Sequence, residues 1–440
     1  MTVERLYEIF LSCTGASTDT RSITPGAMFF ALRGERFDAN SFATQALDAG
    51  AAWAVVDNPE LAGRSDRFIV VGDSLTTLQE LAACHRRQLA IPILAITGSN
   101  GKTTTKELTS RVLARRFKVA VTRGNLNNHI GVPLTLLSMT RDTEMGVVEM
   151  GAGAQGEIAL LCSIAQPDYG LITNVGRAHL EGFGSEEGVR HGKGELYDYL
   201  ASAGGTAFYA SGDATLSQMI AERPGLKTVG YPCLEPSDGS AVRWRGREVT
   251  SQLVGDYNRH NISAAVAIGE YFGVSEDDIA AAVNSYAPDN RRSQRIVTAR
   301  NTIVADCYNA NPSSMAAALD NFAREPFPRP KAVILGDMLE LGNYSAAEHA
   351  AIIRQVAAAP TELALLVGEN FAAAATAEAA TESAAGTPAA ETPAADGEKI
   401  RTFPTFDALA THLHASPLTG YAILIKGSRG LGLERALELL

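Results

Sequence analysis

A glycine-rich loop is the sharpest chemical feature of the sequence. It reads Thr-Gly-Ser-Asn-Gly-Lys-Thr-Thr over 97–104, between a short apolar run and a segment with helical periodicity. Glycines let backbone N–H groups approach phosphate oxygens closely, and a helix N-terminus adds partial positive charge. We therefore expect a nucleoside triphosphate here, with Lys102 at its β- and γ-phosphates and the Thr103 hydroxyl on Mg²⁺. The nucleotide-binding residues predicted by the loop are Gly98, Ser99, Asn100, Gly101, Lys102, Thr103 and Thr104.

The loop departs from the general phosphate-loop pattern, which has four residues between its glycines. Ile96 occupies the position of the first glycine, and Gly98 comes late. An ordinary glycine turn before a helix is the alternative interpretation. The apolar run, the Gly-Lys-Thr sequence and the helical segment together favour a phosphate loop.

Two further candidates follow apolar runs that read as strands. Glu149 lies near the end of the run 145–150, and His179 follows the run 169–175. If both strands belong to the sheet that carries the glycine-rich loop, the two side chains converge above it. One carboxylate suits Mg²⁺, whereas an imidazole is a less usual ligand. Taken singly, each residue is also explained as a structural or surface side chain.

Lys193 lies in the sequence Gly-Lys-Gly-Glu, 192–195, at the start of a predicted helix. The chain has only 8 lysines among its 38 basic residues, so a lysine between glycines invites a chemical interpretation. An ammonium repels Mg²⁺, so a role at a metal requires either a phosphate partner or conversion to a carbamate, which is an anion. On the residues alone, a surface lysine is the better interpretation.

The predicted strands and helices that must position these residues follow a pattern typical of an α/β protein of three domains. We expect a small mixed domain over 1–88, a central domain with a mostly parallel sheet over 89–298, and a Rossmann-like domain over 299–440. Residues 372–398, which have almost no large apolar side chain, are predicted to be a disordered insertion. The predicted strands are 29–34, 51–57, 91–97, 145–150, 169–175, 302–308, 331–337, 363–369 and 421–427, with a helix at 41–50.

The composition excludes several classes of protein. A formal net charge of -11 over 440 residues, without a basic stripe, argues against nucleic-acid binding. No apolar run approaches the ~20 residues that cross a bilayer, and the N-terminus lacks the pattern of a signal peptide. The 5 cysteines are scattered, which argues against a disulfide framework or a zinc site and favours a reducing compartment. We expect a cytoplasmic enzyme.

These motifs, taken in order, resemble the Mur ligase family over nearly the whole chain. Particularly typical are Asn-Leu-Asn-Asn-His-Ile-Gly-Val-Pro at 125–133 and Asp-Cys-Tyr-Asn-Ala-Asn-Pro at 306–312. The other segments that carry the resemblance are 18–21, 29–34 with Asp38 and Asn40, 97–104, 255–261, 290–294, 336–342 with His349, and 426–429.

The resemblance implies an ATP-dependent amide-bond ligase that releases ADP and phosphate. It implies that D-alanyl-D-alanine is joined to UDP-N-acetylmuramoyl-tripeptide through an acyl phosphate, forming the pentapeptide precursor of peptidoglycan. Because the three ligands would bind on three domains, we expect domain closure before chemistry. We also expect a monomer.

The resemblance also implies roles for individual residues. It assigns catalysis to Lys102, Glu149, His179 and Lys193, the last as a carbamate. It implies two Mg²⁺ ions, held by Thr103, Glu149, His179 and carbamylated Lys193. Further nucleotide-binding residues would be Arg292, Asp306 and Asn309. Substrate would be bound by Thr20, Arg21, Asn127, Asn128, Lys426, Ser428 and Arg429.

Some positions depart from the family pattern. Gly153 and Ala154 replace an Asn-His pair, and Tyr257 replaces a histidine. Three other functions are therefore weighed: another ligase of the superfamily, such as a folylpolyglutamate synthase, a nucleotide switch that ligates nothing, and an inactive scaffold that binds the UDP precursor. Other ligases of the superfamily lack the sequence motifs found here at 125–133 and 306–312. An inactive scaffold would not explain why all the predicted catalytic residues are present.

Overall fold

The computed structural model of the protein describes residues 1–237, 241–253, 255, 257–288, 292–384 and 399–440. Over these ranges the chain forms three α/β domains, each built around its own sheet. The predicted fold class is confirmed. Within the described part of the chain, no helix combines the length and the apolar character needed to cross a membrane.

The N-terminal domain contains a parallel sheet and a separate hairpin. Its strands are β1 (Ala16–Ser17), β2 (Met28–Phe30), β3 (Arg33–Gly34), β4 (Phe37–Asp38), β5 (Trp53–Val56) and β6 (Phe68–Val70). Its helices are α1 (Val3–Phe10), α2 (Ala43–Asp48) and α3 (Ser74–Leu89), with 3-10 turns at Thr20–Ser22, Ala39–Phe42 and Pro59–Leu61. The sheet order is β1–β2–β5–β6, and β3 pairs only with β4. The predicted strand 29–34 is thus divided in two, because Arg33 turns away to pair with Asp57 at 2.8 Å.

The central domain is a parallel sheet in the order β12–β11–β10–β7–β9–β8, covered by helices. Its strands are β7 (Ile93–Thr97), β8 (Val119–Val121), β9 (Met145–Glu149), β10 (Tyr169–Ile172), β11 (Thr206–Ala210) and β12 (Lys227–Tyr231). Three short antiparallel strands follow: β13 (Glu235–Pro236), β14 (Ala241–Trp244) and β15 (Arg247–Thr250). The helices are α4 (Lys102–Leu113), α5 (Gly131–Leu137), α6 (Glu157–Ala165), α7 (Leu180–Phe183), α8 (Glu186–Ala203), α9 (Ala214–Ala221), α10 (Asn258–Tyr271) and α11 (Glu276–Asn284). Every residue of β7 and β9 is buried, as expected of strands covered on both faces.

The third domain is a mixed sheet in the order β16–β17–β21–β18–β19–β20. Its strands are β16 (Gln294–Val297), β17 (Thr302–Asp306), β18 (Lys331–Gly336), β19 (Leu363–Val367), β20 (Ile400–Phe403) and β21 (Ala422–Lys426). Its helices are α12 (Pro312–Arg324), α13 (Ser345–Ala358), α14 (Glu369–Ala384) and α15 (Phe406–Ala415), with 3-10 turns at Gly342–Tyr344, Arg429–Leu431 and Leu433–Glu438. Only β16 is antiparallel to its neighbour among these described strands.

Two predictions about this domain require correction. Strand β16 pairs with β17, so the third domain begins before the predicted boundary at 299. The disordered insertion predicted over 372–398 is wrong as far as residue 384, because α14 continues to that point. Alanine is the strongest helix former, and Phe371 and Ala374 anchor the helix in the core. The rest of that segment, 385–398, lies outside the described residues.

Asp337 fixes the loop that follows β18. Its carboxylate accepts hydrogen bonds from the backbone N–H groups of Asn370 and Phe371, both at 2.9 Å, and so caps α14. Nearby, the buried His349 accepts from the N–H of Met338 at 3.1 Å. Burial lowers the pKa of His349, which keeps the imidazole neutral and able to accept. The segment 336–342 with His349 is therefore held in one conformation by its own side chains.

We expect Asp337→Ala to destabilise the third domain by about 1–3 kcal/mol, because one buried and one half-buried N–H group lose their acceptor. The measurement is the unfolding midpoint of this domain in the full chain by calorimetry. Asp407→Ala is the matched control: its side chain is 82% exposed and pairs with Arg435, and such a pair contributes less than about 1 kcal/mol. Equal midpoints for the two variants would contradict the capping role.

Candidate active site

A cavity of about 960 Å³ lies between the central and third domains, at the carboxyl ends of β7, β9 and β10. Ligands of open α/β sheets bind at that end of the strands. The predicted site residues that line it are Ser99, Asn100, Gly101, Lys102, Thr103, Thr104, Asn127, Asn128, Glu149, His179, Arg292, Asp306, Asn309 and Lys426. The predicted residues outside its lining are Thr20, Arg21, Gly98, Lys193, Ser428 and Arg429.

The glycine-rich loop is held against the segment that follows β10. The N–H groups of Ser99 and Asn100 donate to the backbone oxygen and the side-chain oxygen of Asn174, both at 3.0 Å. At Gly98, φ is +138°, and a Cβ atom would lie 2.0 Å from the Thr173 hydroxyl oxygen. Glycine is therefore required there by both conformation and space. The loop then enters α4, whose first N–H groups are directed to the cavity.

Two cations lie beside this helix terminus. The Lys102 ammonium curls back over the loop and donates to the carbonyl of Gly98 at 2.6 Å. Burial lowers the pKa of Lys102 to about 8, with the nearby Arg292 also lowering it and the charge of Glu149 opposing the shift. The Arg292 guanidinium stacks on Tyr308, 3.7 Å from the ring centroid, and its buried Nε has no hydrogen-bond partner in the part of the chain that the structure describes. Together with the helix N-terminus, this arrangement suits a polyphosphate.

Glu149 is buried at the end of β9 with one oxygen satisfied and one not. Its Oε1 accepts from the Thr103 hydroxyl at 3.1 Å and from the Asn127 amide at 2.8 Å. Its Oε2 is buried without a hydrogen bond from any described residue, 3.5 Å from the Lys106 ammonium. A buried carboxylate oxygen with a free lone pair, next to a threonine hydroxyl, fits a hard divalent cation. The donor set present is thus compatible with Mg²⁺.

Lys106 is a functional residue that the sequence analysis missed. It is 2% exposed, and its ammonium donates to the carbonyl of Thr122 at 2.9 Å while facing Glu149. The Thr122 hydroxyl in turn accepts from the N–H of Glu149 at 3.0 Å. One signal was available, because Lys106 is a fourth scarce lysine, one helical turn after Lys102. Its effect is to hold the Glu149 carboxylate in place.

His179 lies at the edge of the cavity in a left-handed backbone conformation, with φ +52°. Its Nδ1 is hydrogen-bonded to a carboxylate oxygen of Glu340 from the third domain. That hydrogen bond lowers the pKa of Glu340, so the carboxylate is ionised. The predicted convergence of His179 with Glu149 on one cavity is observed.

Lys193 is not a surface lysine, and the interpretation drawn from the residues alone is wrong. It is 1% exposed on α8, with its ammonium 3.2 Å from the carbonyl of Ala152 and 5.0 Å from the ring centroid of Phe183. Among the described residues, no carboxylate lies within ion-pair distance of it. Burial, and then the charge of Lys102, lower the pKa of Lys193 well below its ordinary value. The burial follows from the apolar face that α8 turns toward the sheet.

On the third-domain side of the cavity, Lys426 and Asp306 form an ion pair. The Lys426 ammonium donates to Asp306 at 2.6 Å and to the carbonyl of Asn309 at 3.2 Å. Ser428, predicted to contact substrate, is buried and braces the loop after β18 by accepting from the N–H of Leu339 at 3.0 Å. Arg429 is exposed, 5.4 Å from the centroid of the Tyr308 ring.

The remaining predicted residues make hydrogen bonds or ion pairs within the protein, or begin a turn. Asn128 caps α5 by accepting from the N–H of Gly131 at 2.9 Å. In the N-terminal domain, Arg21 makes a bidentate pair with Asp19 and lowers the pKa of that carboxyl to about 2. Thr20 starts the same 3-10 turn. Tyr257, the departure from the expected histidine, shares a hydrogen bond of 2.6 Å with the hydroxyl of Ser293.

The third domain docks directly on the glycine-rich loop. The Asn311 amide donates to the side chain of Asn100 at 2.8 Å. The Ser313 hydroxyl accepts from the N–H of Arg177 at 2.8 Å, and the Arg177 guanidinium pairs with Glu348 at 2.7 Å. The N-terminus of α12 therefore lies beside the glycine-rich loop that precedes α4.

Known family profiles match all three domains of the chain. A profile described as the Mur ligase middle domain matches residues 96–269. Profiles described as Mur ligase, glutamate ligase domain, and Mur ligase family, catalytic domain, match residues 291–429 and 12–91. The chain belongs to the Mur ligase family. The family predicted from the motifs is confirmed, and with it an ATP-dependent ligase.

Three proteins similar to this Mur ligase match it over nearly their full length. The UDP-N-acetylmuramoyl-tripeptide--D-alanyl-D-alanine ligase of Escherichia coli (strain K12) is 35% identical over 98% of this chain and 94% of its own. A crystal structure of MurF from Acinetobacter baumannii superposes with a TM-score of 0.82 at 30% identity, covering 99% of this chain and 98% of that one. The MurF ligase from Thermotoga maritima in complex with ADP gives a TM-score of 0.79 at 25% identity, covering 98% and 97%.

We expect Gly98→Ala to raise the Kd for Mg-ADP about tenfold or more, because the new methyl group must displace Thr173 and strain the loop. The measurement is calorimetric titration of the full chain with Mg-ADP. Gly212→Ala, in the same domain with no atom within 4 Å of the added Cβ, is the control and should bind as the wild type does. Wild-type affinity in the Gly98 variant would show that the loop does not hold the nucleotide.

Proposed function

We propose that this Mur ligase joins D-alanyl-D-alanine to UDP-N-acetylmuramoyl-tripeptide with ATP, yielding the UDP-linked pentapeptide precursor of peptidoglycan. The observation that carries the proposal is one cavity in which the N-terminus of α4, Lys102, Arg292 and the half-satisfied Glu149 face each other. The family assignment and the near-complete match to ligases bearing that name support the choice of substrates.

In the first step of the reaction two anions, the tripeptide carboxylate and ATP, must approach each other. A carboxylate oxygen of the tripeptide attacks the γ-phosphorus of ATP, and the bond to ADP breaks to leave an acyl phosphate. The amine of the dipeptide then attacks the acyl carbon, phosphate departs and a proton is lost. Alignment and charge neutralisation must supply most of the catalysis. Lys102, the N–H groups of α4 and Arg292 do this from the protein side by holding the phosphates and lowering their repulsion.

Divalent cations fit the remaining part of the cavity. We assign Mg²⁺ to Thr103, Glu149 and His179, with carbamylated Lys193 as a further ligand, as the resemblance implies for two ions. When bound, Mg²⁺ neutralises charge on the attacking and leaving oxygens. The chain's own part is to orient the ligands: Asn127 and Lys106 fix the two oxygens of Glu149.

The carbamate has its own structural support. A buried ammonium without a carboxylate partner is costly, whereas a neutral amine is both cheaper to bury and able to add to CO₂. In that step the amine nitrogen bonds to the carbon of CO₂ and releases a proton, leaving an anionic carbamate on Lys193. The product is an oxygen donor of the kind that Mg²⁺ prefers.

The other domains complete the assignment. We propose that Thr20 and Arg21 belong to the site for the UDP group, and that Lys426, with Arg429, holds the dipeptide. Asp306 and Asn309 then serve the nucleotide side of the cavity. All 5 cysteines are free thiols, in keeping with a reducing cytoplasm, where we place the enzyme. We keep the monomer as part of the proposal.

The decisive assay is phosphate release from ATP and Mg²⁺ with the UDP-linked tripeptide and D-alanyl-D-alanine added separately and together. We expect sustained release only with both, and a product heavier by the dipeptide in mass spectrometry. The full chain without either substrate is the control. Release that is indifferent to the dipeptide would reject this function in favour of another ligase or a nucleotide switch.

Replacing Lys193 tests the carbamate. We expect Lys193→Ala to lose most ligase activity and to recover part of it with a short carboxylic acid, which can replace the lost anion. Wild-type protein in ¹³C-bicarbonate should show a carbamate carbon signal that the variant lacks. Lys227→Ala, which removes a lysine far from the cavity, should retain both signal and activity. Full activity in the Lys193 variant would exclude the carbamate.

A further inference from the structure

The contact between His179 and Glu340 joins the central domain to the third domain. His179 precedes α7 and Glu340 lies in the loop after β18, so the pair is 161 residues apart in the chain. Both residues have left-handed backbone conformations, with φ +52° and +61°. Two non-glycine residues in that region, facing each other, indicate that the contact is imposed by the surrounding structure.

The loop that carries Glu340 is rigid. The N–H of Leu339 donates to the buried hydroxyl of Ser428 at 3.0 Å, and the N–H of Met338 donates to His349 at 3.1 Å. The carbonyl of Glu340 itself accepts from the N–H of Glu181 at 3.2 Å, across the domain boundary. The third domain therefore holds the Glu340 carboxylate in a fixed position, and docking brings that carboxylate to His179.

The hydrogen bond selects one form of the His179 ring. The Glu340 carboxylate accepts the hydrogen of Nδ1–H, and in the neutral ring this leaves the lone pair on Nε2. No described residue makes a hydrogen bond to Nε2, and His179 lines the cavity that contains Glu149. Histidines that bind metals through one nitrogen commonly donate the other N–H to a carboxylate, which fixes the ring and strengthens the ligand.

We propose that Glu340 is a positioning residue which, when the third domain docks, holds His179 as the Nδ1–H tautomer and presents Nε2 to the divalent cation. The inference rests on the proposed function, because it takes His179 as a metal ligand. Its consequence is that the metal site is completed by docking. A nucleotide bound while the third domain is away would lack one oriented ligand.

A second ion pair at the same domain boundary provides a control that distinguishes a positioning role from a docking role. Arg177 pairs with the buried Glu348 of α13 at 2.7 Å, two residues before His179 in the chain. This pair also joins the two domains but makes no contact with the imidazole. Glu348→Gln therefore matches Glu340→Gln in charge change and in its place at the domain boundary. Glu348 is the more buried of the two, and its partner is Arg177 rather than the imidazole.

The first measurement is the tautomer of His179 in the ligand-free full chain. Nitrogen NMR of protein labelled at histidine, with His179→Gln to assign the signal, should show the Nδ1–H form in the wild type and in Glu348→Gln. Glu340→Gln should shift the ring toward a tautomer mixture. An unchanged Nδ1–H signal in Glu340→Gln would overturn the proposal. No substrate or activity enters this measurement, so it is independent of the ligase assay.

The second measurement is binding of Mn²⁺ alone, followed by the paramagnetic resonance of the free ion. We expect the Kd to rise about 10- to 100-fold in Glu340→Gln and at least as much in His179→Gln, with Glu348→Gln within about twofold of the wild type. Equal weakening in both glutamate variants would reduce Glu340 to a docking contact. Wild-type affinity in His179→Gln would also overturn the proposal, while dipeptide-dependent phosphate release by the wild type would still support the ligase.

Discussion

The attachment of the glycine-rich loop to the end of β10 is the constraint on which the rest of the site depends. Strands β7 and β10 are neighbours in the sheet, so the segments that leave them run side by side. Asn174 uses its carbonyl and its side chain to take the N–H groups of Ser99 and Asn100. Because these two groups are directed inward, the N–H groups that remain for a phosphate are those of the first turn of α4. The same segment continues into Arg177 and His179, where the third domain docks.

The buried charges fall into two kinds, and the difference is chemical. Lys106 faces Glu149 and Lys426 faces Asp306, so each ammonium is compensated by a carboxylate within the chain. Lys193 is equally buried and has no such partner among the described residues. Removing an unpaired ion from water costs several kcal/mol, which ordinary packing does not return. Burial therefore disfavours the ammonium form of Lys193, and this supports the modification that we propose for it.

The sequence predicted best those features that are set locally. The turn from β7 into α4 follows from glycine positions and helical periodicity within a dozen residues, and the strand ends carrying Glu149 and His179 follow from the rules of parallel sheets. The features that could not be predicted from the sequence depend on contacts between residues that are far apart in the chain. The burial of Lys193 is decided by how α8 packs, and the pairing of Lys106 with Glu149 joins residues on different elements. The motif after β18 was recognised as characteristic, but its spacing did not distinguish Glu340, which reaches the site, from Asp337, which braces the loop.

Three of the contacts that dock the third domain on the central domain are single polar contacts. Asn311 reaches Asn100, Ser313 reaches Arg177, and Glu340 reaches His179, and water can replace each of these partners. Polar interfaces between domains permit relative motion more readily than apolar ones do. Reversible docking suits a reaction whose acyl phosphate must be shielded from water until the amine attacks, but which must also admit three substrates. The contact between Glu340 and His179 both closes the cavity and, in our proposal, orients the imidazole as a metal ligand. The enzyme is then able to catalyse the reaction only in the closed state.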